Sequence, residues 1–254
     1  MAEEKRGRHA SDEVILSGQG VTRRFGGLVA VNDVDFEIRR GEIFGLIGPN
    51  GAGKTTLFRL LSGVYAPSAG SIKLRGREIS GKKPHEICAL GLVTTHQIVK
   101  PFGEMSCRRN VLVGVQYGRR RLRRAAAEAE ADRLLELTEL APHADTLGRA
   151  LTLARRKRVE VARALATGPD VLLLDEVAAG LNPTESARIV ELIRRIRDSG
   201  VTIVMVEHVM KAIMSLSDRI MVMDLGKRIA LGTPDEVARD EGVVKAYFGE
   251  RAVA

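Results

Sequence analysis

Residues 48–55 have the types and spacing needed to bind phosphate groups. Their sequence, Gly48-Pro-Asn-Gly-Ala-Gly-Lys-Thr55, fits the pattern G-x-x-x-x-G-K-[ST]. It follows the apolar run 43–47 and precedes a helix-forming segment, which is the context that this pattern requires. Glycines let backbone N–H groups curl around phosphate oxygens, and the N-terminus of the helix adds a favourable dipole. The pattern therefore predicts a site for nucleotide phosphates.

The side chains of this loop have separate expected roles. Lys54 is expected to neutralise β- and γ-phosphate oxygens, and the Thr55 hydroxyl to ligate Mg²⁺. ATP and Mg²⁺ are therefore the predicted ligands. The predicted nucleotide-binding residues of this loop are Gly48, Pro49, Asn50, Gly51, Ala52, Gly53, Lys54, Thr55 and Thr56.

A second pattern, Val171-Leu-Leu-Leu-Asp-Glu176, is an apolar strand that ends in two carboxylates. Asp175 is predicted to hold Mg²⁺, and Glu176 to polarise the attacking water as a general base. His208 ends the next apolar strand, at the same edge of the sheet, where it is expected to reach a γ-phosphate. The alternatives are a solvated acidic turn and an ordinary surface histidine.

The elements that must position these residues follow from the spacing of apolar side chains. Before residue 100, strands are predicted at 34–38 and 43–47, a helix from about Lys54 to Gly63, and a hairpin within 66–81. Residues 110–140 have helical character. After Gly168, strands at 171–174 and 201–206 alternate with helices at 183–197 and 210–216.

This alternation predicts an α/β fold of the P-loop type, with a parallel sheet covered on both faces and a small antiparallel β region. A helical lobe is inserted at about 98–160. Residues 1–12 are expected to form a flexible tail, and residues 13–254 one nucleotide-binding domain.

Composition narrows the possible classes of protein. The chain has 254 residues and a formal net charge of +8, with basic runs at 119–124 and 155–158 that lack interleaved aromatic residues. The first run is expected to be a solvated helical face or a surface turned toward a membrane or partner; nucleic-acid binding is not expected. Cys88 and Cys107 suggest no disulfide framework, which fits a reducing compartment. Neither a secretory signal nor a membrane span is predicted.

From about Val14 to Gly249, these motifs resemble the ABC ATPase family, and more narrowly the ATP-binding subunits of branched-chain amino-acid importers. The narrower resemblance lies in the segments AAGLNP, EMSCRRNVLVG, EHVM and GTPDEVARDEGVVKAYFGE. It implies that Phe25 stacks on adenine, that Gln97 contacts Mg²⁺ and the attacking water, and that His208 is a catalytic switch residue.

The sequence departs from the family pattern at the signature segment, which here is Leu151-Thr-Leu-Ala-Arg155. Thr152 keeps a hydroxyl, whereas Ala154 replaces a glycine and Arg155 a glutamine. Departures also occur at His96 and Val177. In this family the signature, with Thr152 and Ala154, faces the ATP held by a second subunit. The departure implies either a weakened composite site or a tolerated alanine with slowed turnover.

The resemblance implies a Mg²⁺-dependent ATPase subunit of an importer, peripheral at the cytoplasmic face of the cell membrane. The implied partners are transmembrane permease subunits, a second ATP-binding subunit and, indirectly, a periplasmic binding protein. Branched-chain amino acids are the favoured cargo; other amino acids, amides and urea stay open. Candidate permease contacts, for which a core role is equally open, are Ile98, Val99, Phe102 and Met105.

Two alternatives differ in class. The first is a subunit that binds nucleotide and closes but hardly hydrolyses, which the altered signature favours and Glu176 and His208 oppose. The second is a DNA-repair or chromosome-associated ATPase of the same family. Such proteins carry long coiled coils, and this sequence has no sustained heptads.

Overall fold

Mostly apolar strands, two of them buried along their whole length, form the central sheet of the molecule. The computed structural model describes residues 11–95, 101–207 and 209–248. The strands are β1 (Val14–Phe25), β2 (Leu28–Arg39), β3 (Ile43–Ile47), β4 (Ala69–Leu74), β5 (Arg77–Glu78), β6 (Leu92–Thr94), β7 (Val171–Asp175), β8 (Thr202–Val206), β9 (Arg219–Asp224) and β10 (Lys227–Gly232). The helices are α1 (Lys54–Leu61), α2 (Pro84–Leu90), α3 (Cys107–Tyr117), α4 (Ala125–Leu137), α5 (Leu153–Ala166), α6 (Pro183–Asp198), α7 (Met210–Leu216), α8 (Pro234–Arg239) and α9 (Glu241–Phe248).

Two sheets are present in the described residues. The larger has the order β10-β9-β3-β8-β7-β6, and its strands are parallel except for β10. The smaller is antiparallel, with the order β2-β1-β4-β5. The predicted parallel sheet and antiparallel region are confirmed. In the larger sheet the carboxyl ends of β3, β7 and β8 meet at one edge, so the residues that follow them are brought together.

Alternate residues of each central strand enter two separate hydrophobic cores. Ile43 and Ile47 of β3 pack with the helices α3 to α7, whereas Phe44 and Leu46 pack with α1, α2 and the antiparallel sheet. Fully burying a side chain of this size stabilises the fold by about 1.5–3 kcal/mol. The rigid sheet between the two cores therefore sets the positions of the loops at its edge.

The helical lobe differs from the prediction of one helical stretch over 110–140. The chain forms α3 and α4, separated by a loop at 118–124 in which Arg121 and Arg124 have φ values of 48° and 54°. In this loop the Arg119 guanidinium donates to Gly168 O at 2.9 Å and pairs with Asp170 at 2.9 Å. Asp170 also pairs with Arg75 of the antiparallel sheet. The expected helical face at 119–124 was therefore wrong, because these tertiary contacts override helix propensity.

The other predicted elements match closely. The helices expected at 183–197 and 210–216 are α6 and α7, and the hairpin within 66–81 is β4 and β5. Within the predicted insertion, the described residues hold α3, α4 and the beginning of α5, which continues to Ala166. Most of the expected tail lies outside the described residues, while Ser11 N donates to Arg40 O at 3.0 Å. In the described part of the chain, no helix is long and apolar enough to cross a membrane.

Candidate functional site

The loop between β3 and α1, which is the predicted phosphate cradle, is held by close backbone contacts at two glycines. Gly48 and Gly53 have φ values of 151° and 99°. A Cβ atom would lie 2.1 Å from Met223 O at Gly48 and 2.4 Å from Ala30 O at Gly53. Glycine is therefore required at both positions by close backbone contact as well as by φ. The loop is also tied to the turn between β9 and β10, since Gly226 N donates to Ala52 O at 3.1 Å.

Lys54 is buried at the centre of this loop. Its Nζ donates to Gly48 O at 2.6 Å and to Pro49 O at 2.9 Å. Burial lowers the pKa of Lys54, and the negative charge of Glu176 acts in the opposite direction. The ammonium is thus held where the loop backbone surrounds it, and Glu176 lies close enough to affect it.

Thr55 and Thr56 begin α1 directly after Lys54; Thr55 is exposed and Thr56 half-buried. Asp175 ends β7, and its backbone N donates to the Thr95 hydroxyl at 3.3 Å. The buried Thr95 hydroxyl in turn donates to Leu173 O at 3.3 Å. No local pattern in the sequence points to Thr95, because its partners lie about eighty residues away along the chain. Asn50 and Gly51 are exposed, whereas Ala52 is buried.

Glu176 follows β7 in a left-handed backbone conformation, with a φ of 51°. Its N–H donates to Val206 O at 3.0 Å, so β8 fixes its position. Its carbonyl accepts a hydrogen bond from Lys157 Nζ at 2.8 Å. Two residues later, Ala178 N donates to Glu207 Oε1 at 2.7 Å. The turn that carries the predicted general base is therefore held by charged side chains from other elements.

Lys157 and Glu207 are functional candidates that the sequence reasoning missed. Lys157 belongs to the basic run 155–158, and such runs are usually solvated; yet Lys157 and Arg158 are only 5% and 8% exposed. Burial lowers the pKa of Lys157, while the carboxylates of Glu207, Glu176 and Glu160 oppose that shift. Glu207, 3% exposed, follows the apolar strand β8. In the sequence, the only indication of a role for Glu207 is its position next to His208.

The altered signature segment caps α5. The Thr152 hydroxyl is the N-cap and accepts from Arg155 N, although the distance of 3.5 Å is long. Ala154 is 9% exposed, whereas Leu153 beside it is 47% exposed. A Cβ at Gly180 would lie 3.3 Å from Leu153 Cδ2, so the segment after Glu176 approaches the signature. The methyl group of Ala154 is largely covered by this chain itself.

For three of the predicted site residues, the described contacts include none with the phosphate loop or with the turn after β7. Phe25, at the exposed end of β1, contacts the Tyr65 ring edge-on with a centroid distance of 5.2 Å, and the Arg23 guanidinium lies 4.6 Å from its ring centroid. Its stacking on adenine stays a prediction. Gln97 and His208 lie outside the described residues, as do Ile98, Val99 and His96.

The donor set suits Mg²⁺ bound together with a nucleotide. Thr55 and Asp175 offer hard oxygen ligands, and Mg²⁺ usually takes only one or two protein ligands plus phosphate oxygens. In the part of the chain that the structure describes, no group of three or more His, Cys, Asp or Glu residues forms a metal site by itself. Two oxygen ligands of this kind suit a Mg²⁺ ion that is bound together with nucleotide phosphates.

A cleft of about 720 Å³ opens between the central sheet and the helical lobe. Val93, Val113 and Tyr117 line it together with Asp175 and Arg163, so it reaches the end of β7. Phe102 lies next to it, since the Arg163 guanidinium is 4.5 Å from its ring centroid. Tyr117 is 82% exposed, and Phe102 and Met105 are also exposed. The cleft therefore presents apolar surface beside the predicted catalytic edge.

Comparison with protein families gives two matches. The sequence model of the ABC transporter family matches residues 31–179. A shorter model, described as that of a branched-chain amino acid ATP-binding cassette transporter, matches residues 227–253.

Individual relatives and solved structures cover almost the whole chain. The "High-affinity branched-chain amino acid transport ATP-binding protein LivG" of Salmonella typhimurium is 43% identical, covering 93% of this chain and 98% of its own. The protein of the same description, BraF, of Pseudomonas aeruginosa is 40% identical with the same coverage. An ATP-binding cassette of an ABC transporter, solved in its ADP conformation, is 28% identical with a TM-score of 0.85, covering 94% of this chain and all of its own.

Proposed function

The chain belongs to the ABC transporter family of ATP-binding proteins, and from this premise we propose that it powers an importer of branched-chain amino acids. ATP binding and hydrolysis follow from the family itself. The family and relatives give no support to the alternative of impaired hydrolysis. The observation that carries the ATPase part of the proposal is the phosphate cradle with Lys54 at its centre, beside the turn that holds Glu176.

The first step is phosphate binding by the loop 48–56. Backbone N–H groups of the cradle and the N-terminus of α1 face the phosphates, and Lys54 neutralises β- and γ-oxygens. Thr55 and Asp175 would hold Mg²⁺, which supplies further charge neutralisation on these oxygens. Phe25 stacks on the adenine ring.

The second step is the attack of water on the γ-phosphorus. Glu176 accepts a proton from this water as the bond to phosphorus forms and the bond to the ADP oxygen breaks. Gln97 and His208 complete the arrangement, the first orienting water near Mg²⁺ and the second contacting the γ-phosphate. The left-handed backbone at Glu176 and the bond from its N–H to Val206 O hold this residue at the same edge of the sheet, which supports the role.

A second ATP-binding subunit provides the signature that covers the nucleotide. Thr152 and the first turn of α5 face the partner's ATP in a head-to-tail dimer, and this chain's ATP is covered in the same way by the partner. ATP then acts as both substrate and adhesive, so that closure depends on nucleotide. The exposed side chain of Leu153 supports an interface at this end of α5.

The cleft between sheet and lobe receives a segment of the permease. Its apolar lining and the exposed rings of Tyr117 and Phe102 support contact with an apolar helix face. Asp175 lies in the same cleft, so motion of the permease segment reaches the Mg²⁺ ligand directly. This chain would therefore be peripheral at the cytoplasmic face of the membrane, where the permease anchors it.

The cargo rests on the relatives. LivG and BraF proteins are 40–43% identical, and the C-terminal match covers 227–253. A "Lipopolysaccharide export system ATP-binding protein LptB" is 35% identical, so the cassette alone does not fix the cargo.

ATP hydrolysis by the complex reconstituted with its permease and periplasmic binding protein tests the cargo. We expect binding protein loaded with leucine, isoleucine or valine to raise turnover several-fold over the unloaded protein. Glutamine, acetamide and urea serve as controls. Stimulation by urea or by the amide, with none by the branched-chain amino acids, would reject the proposed cargo while leaving the ATPase intact.

A further inference from the structure

Two buried charged side chains hold the backbone of the turn after β7. Lys157 comes from α5 and donates from Nζ to Glu176 O at 2.8 Å. Glu207 comes from the end of β8 and accepts at Oε1 from Ala178 N at 2.7 Å. They are 5% and 3% exposed. Both distances are those of strong, charge-assisted hydrogen bonds.

The turn needs support, because Glu176 adopts a conformation that L-residues rarely take. A non-glycine residue in the left-handed region costs on the order of 1–3 kcal/mol and persists only where its surroundings determine it. The local bonds of the turn are long: Ala179 N to Glu176 O is 3.2 Å, and Leu181 N to Ala178 O is 3.3 Å. The bonds from Lys157 and Glu207 are shorter, and together with the bond from Glu176 N to Val206 O at 3.0 Å they fix the turn.

Burying these charges is costly, so a purely structural turn would not require them. Burial alone disfavours an ammonium and a carboxylate, and neutral side chains can satisfy a backbone carbonyl or N–H. Lys157 also lies within the electrostatic influence of Glu207, Glu176 and Glu160. Arg158, the next residue, faces a different partner, Glu139, at 2.7 Å. Two adjacent buried cations on α5 thus have separate tasks.

We propose that Lys157 and Glu207 are positioning residues for hydrolysis, which hold residues 176–178 so that the Glu176 carboxylate faces the attacking water. This inference rests on the proposed function, in which Glu176 is the general base. Lys157 also connects that base to α5, whose first turn carries Thr152 and Ala154. A shift of α5 when the second subunit closes therefore reaches Glu176 through one hydrogen bond.

The test uses the full chain in its transporter complex and measures kcat, the KM for ATP and the melting temperature. We expect Lys157→Met to lower kcat by about 10- to 100-fold, as misplacement of a catalytic group does. The KM for ATP should stay within about twofold, because the phosphate loop is untouched. Lys157→Arg should restore most of kcat. Glu207→Gln keeps the acceptor oxygen, so its kcat should be higher than that of Glu207→Met.

Arg158→Met is the matched control, since it also removes a buried cation from α5. It should lower the melting temperature but leave kcat within about twofold of the wild type, measured well below melting. Equal loss of kcat in Arg158→Met and Lys157→Met, or no rescue by Lys157→Arg, would show a general stability effect and overturn the proposal.

A double mutant separates this inference from the proposed function. If Lys157 acts through Glu176, then Lys157→Met should slow the Glu176→Gln variant no further, because coupled residues are not additive. Additive losses would overturn the positioning role alone. Wild-type hydrolysis by Glu176→Gln would instead reject Glu176 as the base, and the inference with it.

Discussion

At the scale of single residues, Lys54 shows how the loop prepares for a phosphate. An ammonium has three N–H donors, and the described contacts use two, to Gly48 O and Pro49 O. In the proposed function, the third donor meets an oxygen of the nucleotide without displacement of the side chain. Burial lowers the pKa of Lys54, which means that its surroundings disfavour the charged ammonium. The negative charge of an approaching phosphate opposes this effect and favours the ammonium.

Lys54→Ala should therefore remove most of the stabilisation of this protein by Mg-ATP. For the wild type, nucleotide at one hundred times its Kd should add about 2.7 kcal/mol to the free energy of unfolding, and the melting temperature should rise accordingly. Lys73→Ala, which removes an exposed lysine from β4, is the control. Unshifted melting of the wild type in millimolar Mg-ATP would argue against the nucleotide site.

At the scale of elements, α5 marks the limit of what the sequence predicts. Its neighbours β7, α6 and α7 were predicted almost to the residue, because their apolar spacing and flanking turns are local signals. The same local reasoning failed for 119–124, and it made no prediction for the burial of 155–158. Arginine favours helices, but the Arg119 guanidinium binds Gly168 O and Asp170 instead. Lys157 and Arg158 can be buried because Lys157 donates to Glu176 O and Arg158 pairs with Glu139. These partners lie 19 or more positions away, where no periodicity reports them.

The candidate site divides along the same line. The phosphate loop and the Asp175-Glu176 strand end are contiguous segments, so their motifs were visible in the sequence. Thr95, Lys157 and Glu207 join the site only through the parallel sheet and the packing of α5 against it. Residues such as these three are identified only from the three-dimensional structure, once the strands are paired in register.

The first turn of α5 also revises the expectation for the altered signature. Because the Ala154 methyl group is largely covered by its own chain, Ala154→Gly should leave ATP turnover of the homomeric protein within about twofold of the wild type. It should lower stability by about 0.5–1 kcal/mol, as glycine does in a helix. Steady-state phosphate release and thermal melting measure the two effects.

Ala187→Gly, at an exposed position of α6, makes the same chemical change away from the signature. A many-fold rise in turnover with Ala154→Gly, absent from Ala187→Gly, would mean that the alanine methyl does restrict the composite site.

At the scale of the whole molecule, the features that bind and cover ATP lie on different parts of one chain. The cradle belongs to the central sheet, and the signature to the helical lobe. In the proposed head-to-tail dimer, a single subunit therefore carries half of each composite site, and a second subunit completes both sites. The two halves are joined inside the chain by Lys157 and by the approach of Gly180 to Leu153.

Glu176→Gln should trap ATP and make this assembly long-lived, because nucleotide binding survives while water activation is lost. Light scattering with the proper partner subunit should show a larger mass with ATP than without it. Lys54→Ala combined with Glu176→Gln should abolish that increase. Equal masses with and without ATP would contradict the head-to-tail arrangement.

The carboxylate of Asp170 is a point about which the helical lobe could rotate. It binds Arg75 from the antiparallel sheet and Arg119 from the lobe, and it directly precedes β7, so it pins three parts of the molecule at one point. The end of α5 lies beside this pin, and the helix extends from it for about 20 Å to Leu153. A tilt of about 10° around the pin would swing Leu153 by about 3.5 Å over that length. In the proposed dimer, a rotation of this size near Asp170 would be large enough to make or break contact between the signature and a phosphate bound by the second subunit.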